Sequence, residues 1–204
     1  MRAVMTPDTK QPPFTTTMPK TATFTTSVGT FKAQLYTEKM PITCGNFIDL
    51  ANSGFYDGIH FHRCVPDFIC QFGCPYAKSP KSSKCGCGNA PPNTTFQGCD
   101  NKPYKRTADG GIPDEVGADN QKITNDRATL AMANTGAPQS GGSQFFINLR
   151  HNKFLDWFDK SSPSSHPVFG KVTEGFDIVE KISKVPTHNE SPKEPIEMLS
   201  IRIS

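Results

Sequence analysis

Within Phe61-His62-Arg63-Cys64-Val65-Pro66-Asp67-Phe68-Ile69-Cys70-Gln71, charged and aromatic side chains are interleaved in a way that an ordinary core strand would not choose. In extended backbone Phe61, Arg63 and Val65 share one face and His62 and Cys64 the other, so an arginine stands in line with apolar side chains. Pro66 interrupts any ladder, and Phe68 to Gln71 resumes an apolar run that closes on an amide. An arginine placed among aromatics is either ion-paired on a rim or held ready for something that enters from outside. Its guanidinium stays charged and presents several fixed donors, so the chemistry it offers is electrostatic, the stabilisation of an acceptor. Burial against an acidic neighbour would put that chemistry out of reach.

A second stretch narrows the reading. Thr129-Leu130-Ala131-Met132-Ala133-Asn134-Thr135-Gly136 runs into Ala137-Pro138-Gln139-Ser140-Gly141-Gly142 and then Ser143-Gln144-Phe145-Phe146-Ile147-Asn148. With F-H-R…P-x-F-x-x-Q before it and Val168-Phe169-Gly170-Lys171-Val172 after it, this order of motifs resembles the cyclophilin family of peptidyl-prolyl cis/trans isomerases. The resemblance runs from about Ala22 to Val185.

That resemblance implies an isomerase acting on X-Pro bonds of protein clients, with no cofactor and no metal. Turning such a bond breaks amide resonance against a barrier of ~18–20 kcal/mol, yet no covalent bond forms or breaks. What helps is anything that stabilises the twisted amide more than the planar one. In the twist the prolyl nitrogen regains a lone pair, and Arg63 matches the family's arginine that donates to it. Phe68, Ile69, Phe146 and Leu155 match the pocket that takes the proline ring. Gln71 would orient Arg63 or meet the substrate backbone, while Asn134, through its main chain, and Ala133 would hold the peptide extended. Gln144 and His166 would complete the rim. Phe154 stands where many eukaryotic members carry tryptophan, so weakened binding of a cyclosporin-type cyclic peptide is expected. Ile69 stands where Met is common, a swap that keeps volume, and Phe72 replaces a frequent glycine.

These residues need elements to hold them. Ala22 to Leu35 alternates apolar and polar residues around Ser27-Val28-Gly29, a β-hairpin with one face buried. Pro41 suits a first helical position, Cys44, Phe47, Ile48 and Ala51 follow at helical spacing, and Gly54 ends the helix in a left-handed cap. Gly45 inside that helix costs about 1 kcal/mol against Ala, which points to a close approach. From about 73 to 117 periodicity is lost in an expanded loop that is functional, poorly ordered, or both. Strands follow around Leu130, Phe146, Val168 and Met198, with one helical turn at Asn152–Trp157 and a second short helix around Phe176–Ile182. The expected fold is mainly β: a closed eight-stranded antiparallel barrel capped by two α-helices, over residues 21–204.

Composition bounds the rest. A chain of 204 residues fits one domain, and a net charge of +3 spread along it makes no nucleic-acid or membrane patch. No apolar run is long enough to span a bilayer, and the start lacks a secretory layout. Residues 1–20 carry Arg2, Lys10 and Lys20 against Asp8, the balance of a transit peptide, but four prolines oppose an amphipathic helix and favour a flexible extension. The expectation is a cytoplasmic monomer whose partners are proline-containing proteins or peptides. Seven cysteines cannot all pair. Cys74, Cys85, Cys87 and Cys99 cluster in the expanded loop, but C-x-C with long arms is not the usual zinc spacing. Unpaired structural thiols are the reading kept, with a redox pair that gates the cleft as an alternative. A second alternative is a binding module that grips proline peptides without turnover; a scaffold of that kind could dispense with Arg63, Phe68, Gln71, Asn134 and Phe146, all of which are present.

Overall fold

The computed structural model describes residues 19–204; all but the end of the extension expected over residues 1–20 lies outside them. In chain order the strands are β1 (Thr21–Thr26), β2 (Gly29–Leu35), β3 (Arg63–Val65), β4 (Ile69–Phe72), β5 (Thr95–Gln97), β6 (Pro103–Lys105), β7 (Thr129–Met132), β8 (Phe145–Asn148), β9 (Val168–Glu174), β10 (Thr187–His188), β11 (Ser191–Pro192) and β12 (Met198–Ile203). Helix α1 spans Pro41–Asn52 and α2 spans Phe176–Ser183.

Eight of the strands form one antiparallel sheet in the order β12-β1-β2-β9-β7-β8-β4-β3. Outside the ladder, its two ends meet through a bridge between His60 and Glu197, flanked by bonds from the Phe61 N–H to the Ile196 carbonyl (3.0 Å), from the Met198 N–H to the Ile59 carbonyl (2.8 Å) and from the Gly58 N–H to the Met198 carbonyl (2.8 Å). The barrel is therefore less completely closed than the sequence suggests. Inside it, Phe24, Phe31, Phe47, Phe145 and Phe169 are at most 1% exposed and meet ring to ring, among them the Phe24–Phe31 stack at 4.5 Å and the edge contacts Phe47–Phe145 at 5.5 Å and Phe145–Phe169 at 5.9 Å. Each buried phenylalanine contributes roughly 1.5–3 kcal/mol of burial. Phe72 belongs to this core, its ring against Phe61, Tyr56 and Phe145, so the residue that replaces a glycine fills the barrel and leaves the cleft alone.

The α1 helix begins at Pro41 as expected, but Met40 before it has no side chain to cap it. Glu115 does so from far along the chain, its two carboxylate oxygens accepting the N–H groups of Ile42 (2.8 Å) and Thr43 (2.9 Å) at the positive end of the helix. At the other end Gly54 takes φ +70, and the Gly54 and Phe55 N–H groups return to the Ala51 and Leu50 carbonyls.

The expanded loop is built, not slack. It carries the β5–β6 ribbon and lies on α1 where Gly45 leaves room: a Cβ there would sit 2.6 Å from the Gln97 carbonyl oxygen. Arg106 bolts it down. Buried to 3% exposure, its guanidinium reaches Asn46 (2.8 Å), Asp49 (2.6 Å) and Thr94 (2.9 Å) and covers the Phe96 ring.

Candidate active site

The β3–β4 hairpin turns through Val65-Pro66-Asp67-Phe68, with Asp67 at φ +55 and the Phe68 N–H on the Val65 carbonyl. Its register opposes Arg63 to Gln71 and Cys64 to Cys70. Neighbouring ladders extend the two rows to Arg63–Gln71–Phe146–Ala131 and Cys64–Cys70–Ile147–Leu130. Adjacent rows face opposite sides of a pleated sheet. The cysteine row points into the core, with every member at most 1% exposed, so the arginine row is turned outward.

Beside that row the expected pocket residues come together. Ile69, Ala131, Phe146, Leu155 and Val168 form a buried apolar cluster, with Phe68 and Ala133 packed against it. Phe154 is 43% exposed and stacks on Phe68 with ring centroids 5.9 Å apart. His166 sets its ring edge-on to Phe146 at 5.3 Å and fixes Nδ1 at 3.0 Å from the Met132 carbonyl; burial pushes its pKa down. A buried polar network that sequence reasoning missed lies behind this cluster. Asp156 accepts bonds from the Thr124 hydroxyl (2.6 Å), the Asn125 N–H (2.7 Å) and the Asn125 side-chain amide (2.9 Å). The same amide donates to the His166 carbonyl, and Asn148 and Asn152 carry the network on to the Phe68 carbonyl.

The polar rim differs from expectation in two places. Gln71 does not orient Arg63: its amide donates to Gln144 Oε1 (3.0 Å). Gln144 in turn spends both amide protons on the Gly86 (2.8 Å) and Gly88 (2.7 Å) carbonyls, which makes it the clamp that holds the expanded loop beside the cleft. Arg63 is oriented instead by Glu190, whose Oε2 lies 2.5 Å from Arg63 Nε, and by the face of Phe68 at 5.9 Å. The pair is at the surface, with the arginine side chain 38% exposed, so the guanidinium remains open to a ligand. Asn134 uses its side chain locally, on the Ser165 carbonyl (2.6 Å) and the Gly136 N–H (3.1 Å). Among the described residues no protein group bonds its main-chain N–H or C=O. These groups open on a groove of about 700 Å³ walled by Gln71, Ala133, Gln144 and, from the expanded loop, Gly86 and Cys87.

His62 lies under this wall, near where a Cβ on Gly86 would fall, and among the described residues neither of its ring nitrogens has a hydrogen-bond partner. Burial first, and then the Arg63 charge, pull its pKa from 6.5 to about 4. Between those values the unfolded chain binds a proton that the folded chain refuses, so stability rises with pH across the window. Urea unfolding should therefore show a loss of about 2 kcal/mol as pH falls from 7 to 4.5, beyond any carboxylate contribution. A His62→Gln variant should lose that slope; an unchanged slope would exclude His62 as its source.

All seven cysteines are free, and among the described residues no group of three or more potential ligands is arranged to hold a metal ion. In the loop, Cys74 is buried and accepts the Gly88 N–H at 3.2 Å, while Cys87 is exposed.

Three comparisons bear on this arrangement. Residues 21–203 match the family model described as cyclophilin type peptidyl-prolyl cis-trans isomerase/CLD. A peptidyl-prolyl cis-trans isomerase of Acinetobacter baylyi is 34% identical over 183 residues, covering 87% of this chain and 82% of the relative. Peptidyl-prolyl cis-trans isomerase B of Escherichia coli is 33% identical, covering 89% and 98%. Among solved structures, a cyclophilin type peptidyl-prolyl cis-trans isomerase of Cryptosporidium parvum superposes with a TM-score of 0.69 at 25% identity, covering 92% of this chain and 98% of that one. The same Cryptosporidium protein has also been crystallised in the presence of the dipeptide Ala-Pro, and that structure superposes with a TM-score of 0.68.

Proposed function

The chain belongs to the cyclophilin-type peptidyl-prolyl cis-trans isomerase family, and we propose that it turns X-Pro bonds on the outward row headed by Arg63. The proline ring enters the apolar cluster of Ile69, Phe146 and Leu155, beneath Phe68, where water is excluded. The main-chain N–H and C=O of Asn134 hold the flanking peptide in an extended pose, with Ala133 beside it. As the imide rotates, nitrogen pyramidalises and gains an acceptor lone pair, and an Arg63 Nη–H donates to it. That bond exists only in the twist, so it lowers the barrier without tightening the ground state. No proton is transferred and no cofactor is called on.

One observation carries this reading: the sheet register puts Arg63 on the row of Gln71 and Phe146, with its cation exposed and pinned at one edge. The unpaired state of all seven cysteines supports a reducing compartment such as the cytoplasm, and among the described residues no helix is long and apolar enough to cross a membrane. The protein is read as a monomer acting on proline-containing peptides and on exposed prolines of protein clients, including folding chains.

Exchange NMR on a short X-Pro peptide tests the activity. Cis and trans signals should exchange faster with enzyme present and no metal added. A peptide that binds without faster exchange would favour the binding module instead. With Phe154 exposed in place of an indole N–H donor, calorimetry should show weaker cyclosporin binding than a tryptophan-bearing relative; equal affinity would count against that role.

A further inference from the structure

Asn189 and Glu190 form the two-residue turn between β10 and β11, and both have positive φ, +48° and +64°. A turn of that kind favours Asn followed by Gly, because the second position crowds any Cβ. Glutamate there costs energy that glycine would avoid, and strain of this sort persists where the surroundings hold the residue for a purpose. Two contacts hold it. The Glu190 carbonyl accepts the Cys64 N–H at 2.7 Å, which docks the turn on the free edge of β3, and its carboxylate takes Arg63 Nε. Cys64 is the next residue after Arg63, so the backbone that carries the guanidinium and the carboxylate that meets it are fixed to each other.

We propose that Glu190 is a positioning residue for the isomerisation, holding the Arg63 guanidinium by its Nε edge so that its outer edge faces the proline pocket. Among the described residues neither Nη of Arg63 has a protein partner, which leaves the outer donors for the substrate. An unpinned arginine samples many rotamers, and fixing one in advance removes that ordering cost from the barrier. Gln71, the other polar neighbour in register, makes no hydrogen bond to Arg63 among the described residues; its amide N–H is turned to Gln144 Oε1. This inference rests on the reading of Arg63 as the group that meets the twisted imide.

Five proteins test it: wild type, Glu190→Gly, Glu190→Gln, Arg63→Ala and the double variant Arg63→Ala with Glu190→Gly, each assayed on one X-Pro peptide at enzyme concentrations that keep the residual rate measurable. Glu190→Gly should be at least as stable as wild type, because the turn prefers glycine, yet its kcat should fall about tenfold with KM little changed. Glu190→Gln, which keeps an acceptor without the charge, should fall between the two. In the Arg63→Ala background Glu190→Gly should change nothing further, the mark of a residue that acts through another. The Arg63 Nε–H resonance should be sharp in wild type and lost in Glu190→Gly. Full activity in Glu190→Gly, a gain in activity, or the same loss in both backgrounds would each overturn the proposal. Full activity in Arg63→Ala would instead remove the reading of Arg63 beneath it.

Discussion

Arg63→Ala is expected to lower kcat/KM for an X-Pro peptide by about 10²–10³-fold, the loss seen when one preorganised transition-state donor is removed. Stability should change little. The side chain is 38% exposed, its ion pair with Glu190 is a surface one, and such pairs are worth about 0–1 kcal/mol. Its backbone partners in the β3–β4 ladder are untouched by the substitution. Arg63→Lys should recover little activity, because an ammonium on a flexible stem cannot be held at its Nε edge while donating from the far side. Isomerisation rates by exchange NMR, with urea melts of the same samples, separate catalysis from folding. An Arg63→Ala protein with wild-type turnover would end the assignment of this row as the site.

Asp156→Ala should destabilise the fold by about 3–5 kcal/mol. Asp156 is 1% exposed and accepts three bonds, from the Thr124 hydroxyl, the Asn125 N–H and the Asn125 amide. Removing the acceptor leaves the buried Asn125 N–H unpaired and takes one partner each from the Asn125 amide and the part-buried Thr124 hydroxyl, and each buried group so stranded costs about 1–3 kcal/mol. The damage should reach the pocket, since Asn125 also holds the His166 carbonyl, and Asn148 and Asn152 pass the network to the Phe68 carbonyl. A fall in kcat/KM measured well below the unfolding transition is therefore expected as well. Urea unfolding that shifts by under about 1 kcal/mol would mean that water takes the place of the carboxylate.

Some of the molecule was legible because its signals are local. Alternation in Ala22–Leu35 requires one buried strand face, and β1 and β2 pair as that pattern demands. Pro41, the spacing of Cys44, Phe47 and Ala51, and Gly54 mark α1 within a residue or two. Gly45 announced a close neighbour, and the Gln97 backbone is there. The apolar cluster of Ile69, Phe146 and Leu155 and the outward row of Arg63 were also within reach, because their motifs lie on short segments.

What stayed hidden depends on groups that meet across large separations. Nothing near Met40 says that Glu115 will cap its helix, and nothing in the aperiodic stretch from 73 to 117 says that Arg106 will bind it to Asn46 and Asp49. The partner of Arg63 is 127 positions away, and the obvious neighbour, Gln71, turns its amide N–H to Gln144 instead. Amino-acid order by itself determined which side chains face in or out and which could do chemistry, since those follow from backbone period and residue type. Only the closed chain decided which partner each polar group takes, because hydrogen bonds are assigned by distance in space, and every choice removes a donor or acceptor from its rivals.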